Sequence, residues 1–178
     1  MPRSTKVNST DIILKDELTG ILTATYRSIK KKYDLTDKEV IDLISKIQID
    51  DLSIPVSVFN IAPLGILEAA VKYLKDELHL RFNKISAILN RNNKTIWTAY
   101  RSSTKKHPKR LSYDKEAMPI PASIFKNRTL APLESVTSYL KENRNLSFKE
   151  ISVLLNRDNR NIWAVHKKAQ KKRSQIEH

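Results

Sequence analysis

Two five-residue segments of this chain carry amide, hydroxyl and cationic side chains at matching positions before an Ile-Trp pair. The first is Asn-Lys-Thr-Ile-Trp at 93–97, and the second is Asn-Arg-Asn-Ile-Trp at 159–163. Asparagine can form paired hydrogen bonds with adenine, and arginine with guanine, in the major groove of a duplex. These residue types predict contacts to base edges; the alternative interpretation is a capped helix start that contacts only solvent.

Patterns typical of catalysis or metal binding are not found in the sequence. There is no cysteine, and two glycines are too few for a Gly-rich phosphate loop. The histidines are scattered without the spacing of metal ligands; they are His79, His107, His166 and His178. The sequence therefore predicts a protein that is not an enzyme and that uses no cofactor or metal.

The charge of the chain indicates a polyanionic partner. Lysine and arginine number 33 against 19 acidic residues, a formal net charge of +14. The first 50 residues are nearly neutral, so the basic excess lies in the last two thirds. No apolar run approaches the roughly 18 residues that a membrane span needs, and residues 1–10 lack the apolar core of a signal peptide. We expect a cytoplasmic, nucleoid-associated protein with no membrane partner.

An internal repeat organises this basic part. Residues 54–106 align with residues 120–172 at a shift of 66, without a gap, and 22 of the 53 positions are identical. The shared features include Ile-Pro-x-Ser-x-Phe, Tyr-Leu-Lys, Leu-Asn-Arg-x-Asn and Ile-Trp. A gapless match of this density indicates a duplicated unit, and two copies are too few for a solenoid.

Each copy contains the signals of three helices. In the first copy, apolar spacing predicts helices at 65–78 and 82–89, and Asn90 suits a left-handed turn after the second. Asn92 then caps a third helix, which buries Ile96. In the second copy, Asn156, Asp158 and Ile162 take the same places, and Ser147 with Glu150 forms a capping box.

The sequence thus predicts an all-α protein with two tandem helix-turn-helix three-helix units, preceded by an N-terminal helical hairpin. The expected parts are an N-terminal helical segment (1–51), a first helix-turn-helix domain (52–106), a linker (107–119) and a second domain (120–174). Each copy is expected to form its own small domain, with Phe59 and Phe125 in extended arms that pack onto the bundle. A thirteen-residue linker reaches at most about 45 Å, which permits the copies to occupy successive major grooves about 34–36 Å apart.

The N-terminal third has helical patterns but little net charge. Either it is a decayed third copy that kept two helices, or it is an unrelated helical hairpin. Thr36 and Glu39 predict a capping box ahead of its second helix. We expect the segment to serve packing or self-association. The side chains predicted to be buried are Leu18, Ile21, Leu22 and Ile29 in the first helix, and Val40, Leu43, Ile44 and Ile47 in the second.

The second copy resembles the helix-turn-helix of region 4 of bacterial sigma factors and of related small regulators, and is similar to helix-turn-helix regions of archaeal regulators. The resemblance is carried by Leu-Ser-Phe-Lys-Glu-Ile-Ser-x-x-Leu at 146–155, Asp-Asn-Arg-Asn-Ile at 158–162 and Lys-Ala at 168–169. It covers about 30 residues per copy and implies that helices 93–106 and 159–172 dock in the major groove. The family's usual turn glycine is replaced by asparagine, and its next aliphatic residue by arginine. Promoter melting is not implied.

The expected function is double-stranded DNA binding through two recognition helices, as a sequence-preferring transcriptional regulator; the alternative is an architectural nucleoid protein with little sequence choice. RNA binding is a weaker third hypothesis, because the aromatic residues form no stacking platform. Both tryptophans are expected to pack over the turn against Phe82 or Phe148, or else to contact a sugar-phosphate or a thymine methyl. The predicted DNA contacts are Arg91, Asn93, Lys94, Thr95, Trp97, Thr98, Arg101, Lys105, Lys106, Arg157, Asn159, Arg160, Asn161, Trp163, Lys167, Lys168, Lys171, Lys172 and Arg173.

Overall fold

A computed structural model of the chain describes residues 9–42 and 52–175. The chain divides into two compact units, residues 1–48 and residues 49–178. The described residues are mostly helical, and their sheet consists of two strands of three residues each. This agrees with the prediction of an all-α protein.

The described part of the first unit contains two helices joined by a tight turn. Helix α1 runs Ser9–Tyr33, and the described part of helix α2 covers residues 37–42. The predicted capping box is confirmed, because the Thr36 amide donates to Glu39 Oε2 (2.8 Å) and the Glu39 amide to Thr36 Oγ1 (3.4 Å). Asp37 accepts hydrogen bonds from Tyr26 and Lys30 and thereby joins α2 to the end of α1.

The burial predicted for α1 is wrong at three positions. Leu18, Ile21 and Leu22 are 50%, 63% and 69% exposed, although Val40 on α2 is fully buried as expected. The hydrogen bonds of Asp37 join α2 to Tyr26 and Lys30, which follow these three side chains along α1. The residues Leu43, Ile44 and Ile47, also predicted to be buried, lie outside the described residues.

In the second unit the two copies of the repeat have nearly identical elements. The bounds in the second copy lie 66 residues after those in the first, apart from two added residues at the end of the last helix. The elements of the first copy are β1 (Ser53–Pro55), a first 3-10 helix (Val56–Asn60), α3 (Ile66–Asp76), α4 (Phe82–Leu89) and α5 (Asn93–Lys106). Those of the second are β2 (Pro119–Pro121), a second 3-10 helix (Ala122–Lys126), α6 (Pro132–Glu142), α7 (Phe148–Leu155) and α8 (Asn159–Ser174).

The turns between the short and long helices follow the local sequence signals. Asn90 and Asn156 both have φ of 48°, in the left-handed region that asparagine tolerates better than most residues. The side chain of Asn92 accepts a hydrogen bond from the Lys94 amide at 2.7 Å, and Asp158 accepts one from the Arg160 amide at 2.9 Å. The predicted turns and caps are confirmed, and they set the direction in which α5 and α8 leave the turn.

In each copy an arm, consisting of the short strand and the 3-10 helix, precedes the three α-helices, and the two arms contact each other. Strand β1 pairs with β2 in antiparallel register, with Ile54 opposite Ile120. The rings of Phe59 and Phe125 also meet, with centroids 6.1 Å apart. In both pairs the two partners occupy the same position of the repeat, so a two-fold relation connects the copies here.

The helices repeat this two-fold relation. The first 3-10 helix packs on α7 of the second copy, the second 3-10 helix packs on α4 of the first, and α3 contacts α6. The buried apolar side chains of both copies form one continuous core. The expectation of a separate small domain for each copy is corrected by this, because residues 49–178 form one compact unit with a shared interior. Each arm packs both on the supporting helix of its own copy and on the short helix of the other copy.

The segment predicted to be a linker, 107–119, is folded against the unit. Leu111 is 7% exposed, and the ring of Tyr113 lies edge-on to Tyr73 at 5.3 Å. The Ser57 hydroxyl donates to the Asp114 carbonyl at 2.9 Å. Because these apolar side chains are buried and the segment leads directly into β2, it does not act as an extended tether.

Candidate nucleic-acid interface

Helices α5 and α8 each have one buried and one exposed face. Ile96, Ala99 and Ser103 of α5 are buried, at the spacing of a single helical face, and α5 packs on α3. In α8 the buried positions are Ile162, His166 and Ala169, and α8 packs on α6. The opposite faces are exposed, so two equivalent helix surfaces are available to a ligand.

These surfaces are positively charged. Neither helix contains an acidic residue. The basic residues are Lys94, Arg101, Lys105 and Lys106 on α5, and Arg160, Lys167, Lys168, Lys171, Lys172 and Arg173 on α8. Such a concentration of one sign of charge attracts a polyanion.

Most of the predicted contact residues lie on these two faces. They include the polar residues that open each helix, whose amides and cations are exposed. The Asn93 side chain donates to Asn83 Oδ1, which fixes one of these amides in orientation. The exposed members are Asn93, Lys94, Thr95, Trp97, Thr98, Arg101 and Lys105 on α5, and Asn159, Arg160, Asn161, Trp163, Lys167, Lys168 and Lys171 on α8.

The two tryptophans are only half covered by other residues. Trp97 and Trp163 are 49% and 51% exposed. Phe82 packs on Tyr100 with centroids 5.4 Å apart, Phe148 packs on His166 at 5.5 Å, and Trp163 lines the same surface depression as Phe148. Packing over the turn and contact with a ligand both stay predictions for these residues, because about half of each indole is covered and half is accessible. The guanidinium of Arg101 lies 5.4 Å from the Trp97 ring centroid.

Two lysines predicted to bind phosphate form ion pairs with glutamates. Lys106 Nζ lies 2.8 Å from Glu68 Oε1, and Lys172 Nζ lies 2.7 Å from Glu134 Oε2. Each glutamate also accepts a hydrogen bond from the amide that precedes its helix, Gly65 at 2.8 Å and Ala131 at 2.7 Å. In each copy, one glutamate therefore caps the start of the supporting helix and also holds the C-terminal end of the exposed helix.

Hydrogen bonds keep these carboxylates ionised. Burial alone would raise the pKa of the Glu68 carboxyl, but hydrogen bonds from Lys106, Ser102 and Gly65 lower it below its usual value. The pKa of Glu134 is lowered in the same way, against the effect of burial, by Lys172 and Ala131. Sequence reasoning did not single out the glutamates, although each pair recurs unchanged in both copies.

Arg91 and Arg157 face the boundary between the copies. Arg157 donates to the Leu64 carbonyl of the first copy at 2.8 Å. Arg91 is partly buried, and desolvation together with nearby Arg128 lowers the pKa of its guanidinium. The turn at Asn90 also faces the other copy, because its side-chain amide donates to the Lys126 carbonyl at 2.9 Å. That both arginines bind phosphate stays a prediction.

Arg173, at the end of α8, is engaged as well. Its guanidinium donates to Glu142 Oε2 at 2.6 Å. The basic side chains of α5 and α8 therefore fall into two groups: Lys106, Lys172 and Arg173 are paired with glutamates, and the others are exposed without such a partner. Only the second group is free to meet a ligand without the loss of an ion pair.

His166 is a buried titratable group of this region. It takes the place of Tyr100 in the first copy, where the hydroxyl donates to Asp76 Oδ1 at 2.8 Å. Among the described residues neither ring nitrogen of His166 has a hydrogen-bond partner, and Glu142 Oε1 lies 3.6 Å from its Nε2. Burial lowers the pKa of His166, and this outweighs the opposite effect of Glu142.

We expect the stability of the second unit to fall as the pH falls below about 6.5, the usual histidine pKa. The folded protein holds His166 neutral, whereas the unfolded chain takes up the proton, so stability is lost from about 6.5 down to the lower folded pKa. Lys141, Lys167 and Arg173 act in the same direction as burial. Melting temperatures at pH 7.5 and 5.5 measure the effect.

The repeat supplies a matched control for this pH dependence. The variant His166→Tyr introduces the residue of the first copy, next to a carboxylate at the equivalent position. Its melting temperature should change less between pH 7.5 and 5.5 than that of the parent protein. An equal change in both proteins would show that other groups are responsible.

Comparison of the chain with protein-family models, with curated proteins and with solved structures finds no match. Within residues 9–42 and 52–175 no helix has the length and apolar character to cross a membrane. The same residues contain no group of three or more histidine, cysteine, aspartate or glutamate side chains that could hold a metal ion. Interpretation of the two exposed helices therefore depends on their own geometry and chemistry.

Proposed function

We propose that residues 52–175 bind double-stranded DNA, with α5 and α8 as recognition helices of two helix-turn-helix units. The observation that carries this proposal is the pair of exposed faces, each free of acidic residues, basic, and opened by asparagine and a cation. Amide and guanidinium groups at the start of such a helix are those that contact base edges in the major groove.

The surroundings of each helix support this proposal. A short helix, a left-handed asparagine and a side-chain cap precede it, which is the order of elements in a helix-turn-helix. The ion pairs Lys106–Glu68 and Lys172–Glu134 hold its far end against the supporting helix. A recognition helix held at both ends can present base-contacting groups without first being ordered, so less entropy is lost on binding.

The exposed lysines of the later turns suit phosphate contacts. Lys105, Lys168 and Lys171 are exposed, and cations in such positions fix the register of a protein on the duplex without choosing a sequence. Because the helix starts also carry base-reading groups, we infer a sequence-preferring regulator. Architectural binding with little sequence choice is the alternative that the test must separate.

Salt titration of binding to a labelled 30-base-pair duplex tests the proposal. The logarithm of the association constant should fall linearly with the logarithm of salt concentration, with a slope of about −0.9 for each phosphate contacted. Absence of duplex binding at low salt, or binding indifferent to salt, would contradict it. A broad A·T preference with length-dependent cooperativity would favour the architectural alternative.

A further inference from the structure

We propose that one chain binds one duplex at an interrupted inverted repeat whose two halves differ in sequence. This inference rests on the proposed function and adds the symmetry and composition of the site. Head-to-tail domains on a tether would instead read two half-sites in the same direction. The difference between these arrangements depends on how the two copies are related.

The copies are related as the subunits of a two-fold dimer are. The antiparallel ladder places Ile54 opposite Ile120 and is symmetric about that pair. Phe59 meets Phe125, and α3 meets α6. Packing of the first 3-10 helix on α7 is reciprocated by packing of the second on α4. Equivalent patches that contact each other define an isologous interface, here within one chain.

A two-fold relation in the protein sets the direction of its two half-sites. The two strands of a duplex are antiparallel, so its own two-fold axes lie perpendicular to the helix axis. Two recognition helices that are related by such an axis contact the same sequence on opposite strands. The two half-sites therefore form an inverted repeat. The half-site centres should be separated by about 10–10.5 base pairs or a multiple of it.

The halves differ because the exposed residues differ between the copies. Both helices begin with asparagine and share the exposed tryptophan, but four other exposed positions are unlike. Arginine has a planar pair of donors that matches the two acceptors of guanine, whereas the ammonium group of lysine is a point charge without this geometry. The unlike pairs are Lys94 with Arg160, Thr95 with Asn161, Thr98 with Ala164, and Arg101 with Lys167.

Selection of bound duplexes from a 40-base-pair randomised library by the full chain tests the site. We expect an enriched motif of two related halves in inverted orientation at one fixed spacing. Reversal of one half in a synthetic duplex should weaken binding about tenfold to a hundredfold. A direct repeat, or a lone half-site bound as tightly as the whole, overturns this inference while leaving DNA binding intact. Failure to enrich any duplex defeats the proposed function as well.

A four-residue variant tests the origin of the asymmetry. Arg160→Lys, Asn161→Thr, Ala164→Thr and Lys167→Arg give α8 the exposed residues of α5. All four positions are exposed, so folding should be unaffected. The selected motif should become a perfect palindrome, formed from two copies of the half-site that α5 reads. An unchanged, unequal motif would contradict the assignment of these positions as readers.

Discussion

Replacement of Phe125 by alanine is expected to lower the free energy of unfolding by about 3–5 kcal/mol, the usual cost of emptying a buried aromatic position. Phe125 belongs to the second copy, yet its ring meets Phe59 and its 3-10 helix packs on α4 of the first. The loss should therefore destabilise both copies together. For a protein with 5–15 kcal/mol of stability, this is a large fraction of the total.

The two tryptophans of the chain allow each copy to be followed separately. Trp97→Phe leaves a reporter in the second copy, and Trp163→Phe leaves one in the first. In urea both reporters should give the same midpoint, and Phe125→Ala should shift both equally. Val153→Ala is the control: Val153 is 69% exposed, so its removal should change stability by less than about 0.5 kcal/mol. A shift seen by the Trp163 reporter alone would mean that the copies unfold independently.

Charge reversal at the starts of both exposed helices is expected to weaken duplex binding on the order of 100-fold or more. The double variant Lys94→Glu with Arg160→Glu places carboxylates where the proposal puts base and phosphate contacts, each worth about 1–3 kcal/mol. Both positions are exposed. Acidic residues in the first turn of a helix are favourable, so the variant should stay folded. Fluorescence anisotropy with a 30-base-pair duplex measures the change.

The control for this variant has the same change in net charge but lies in the other unit. Arg27→Glu with Lys31→Glu alters one arginine and one lysine, both exposed on α1 in the first unit. Its effect should be several times smaller at the same salt concentration. Equal losses in the two double variants would show that binding follows net charge alone and would remove α5 and α8 from the interface.

The helices and turns of the second unit could be predicted because their signals are local. The bounds of α4 and α5 follow from the apolar period of 3.6 residues and from Asn90 and Asn92, which act on their own neighbours. The gapless repeat transferred each of these assignments to the second copy. The charge of the exposed faces also follows from the sequence, once the buried face is fixed by Ile96 and Ile162.

The α1 helix shows where such reasoning fails. Its existence follows from composition, but the burial of Leu18, Ile21 and Leu22 requires a surface that covers them, and a hydrophobic period alone does not supply one. The tryptophans show a second limit. Their position next to a core isoleucine indicated packing, but the extent of their exposure, 49% for Trp97 and 51% for Trp163, depends on how the neighbouring rings are arranged.

By itself the sequence determined the helices, their caps, the left-handed turns, the duplication and the placement of charge. Only the tertiary structure decided that each arm also packs on the other copy, that Arg91 and Arg157 face the boundary, and that Lys106 and Lys172 pair with Glu68 and Glu134. The physical reason is that apolar attraction has no direction. The sequence shows that Phe59 and Phe125 are to be buried, but only the packing of the whole unit places them between the two bundles and relates the two copies by a two-fold axis.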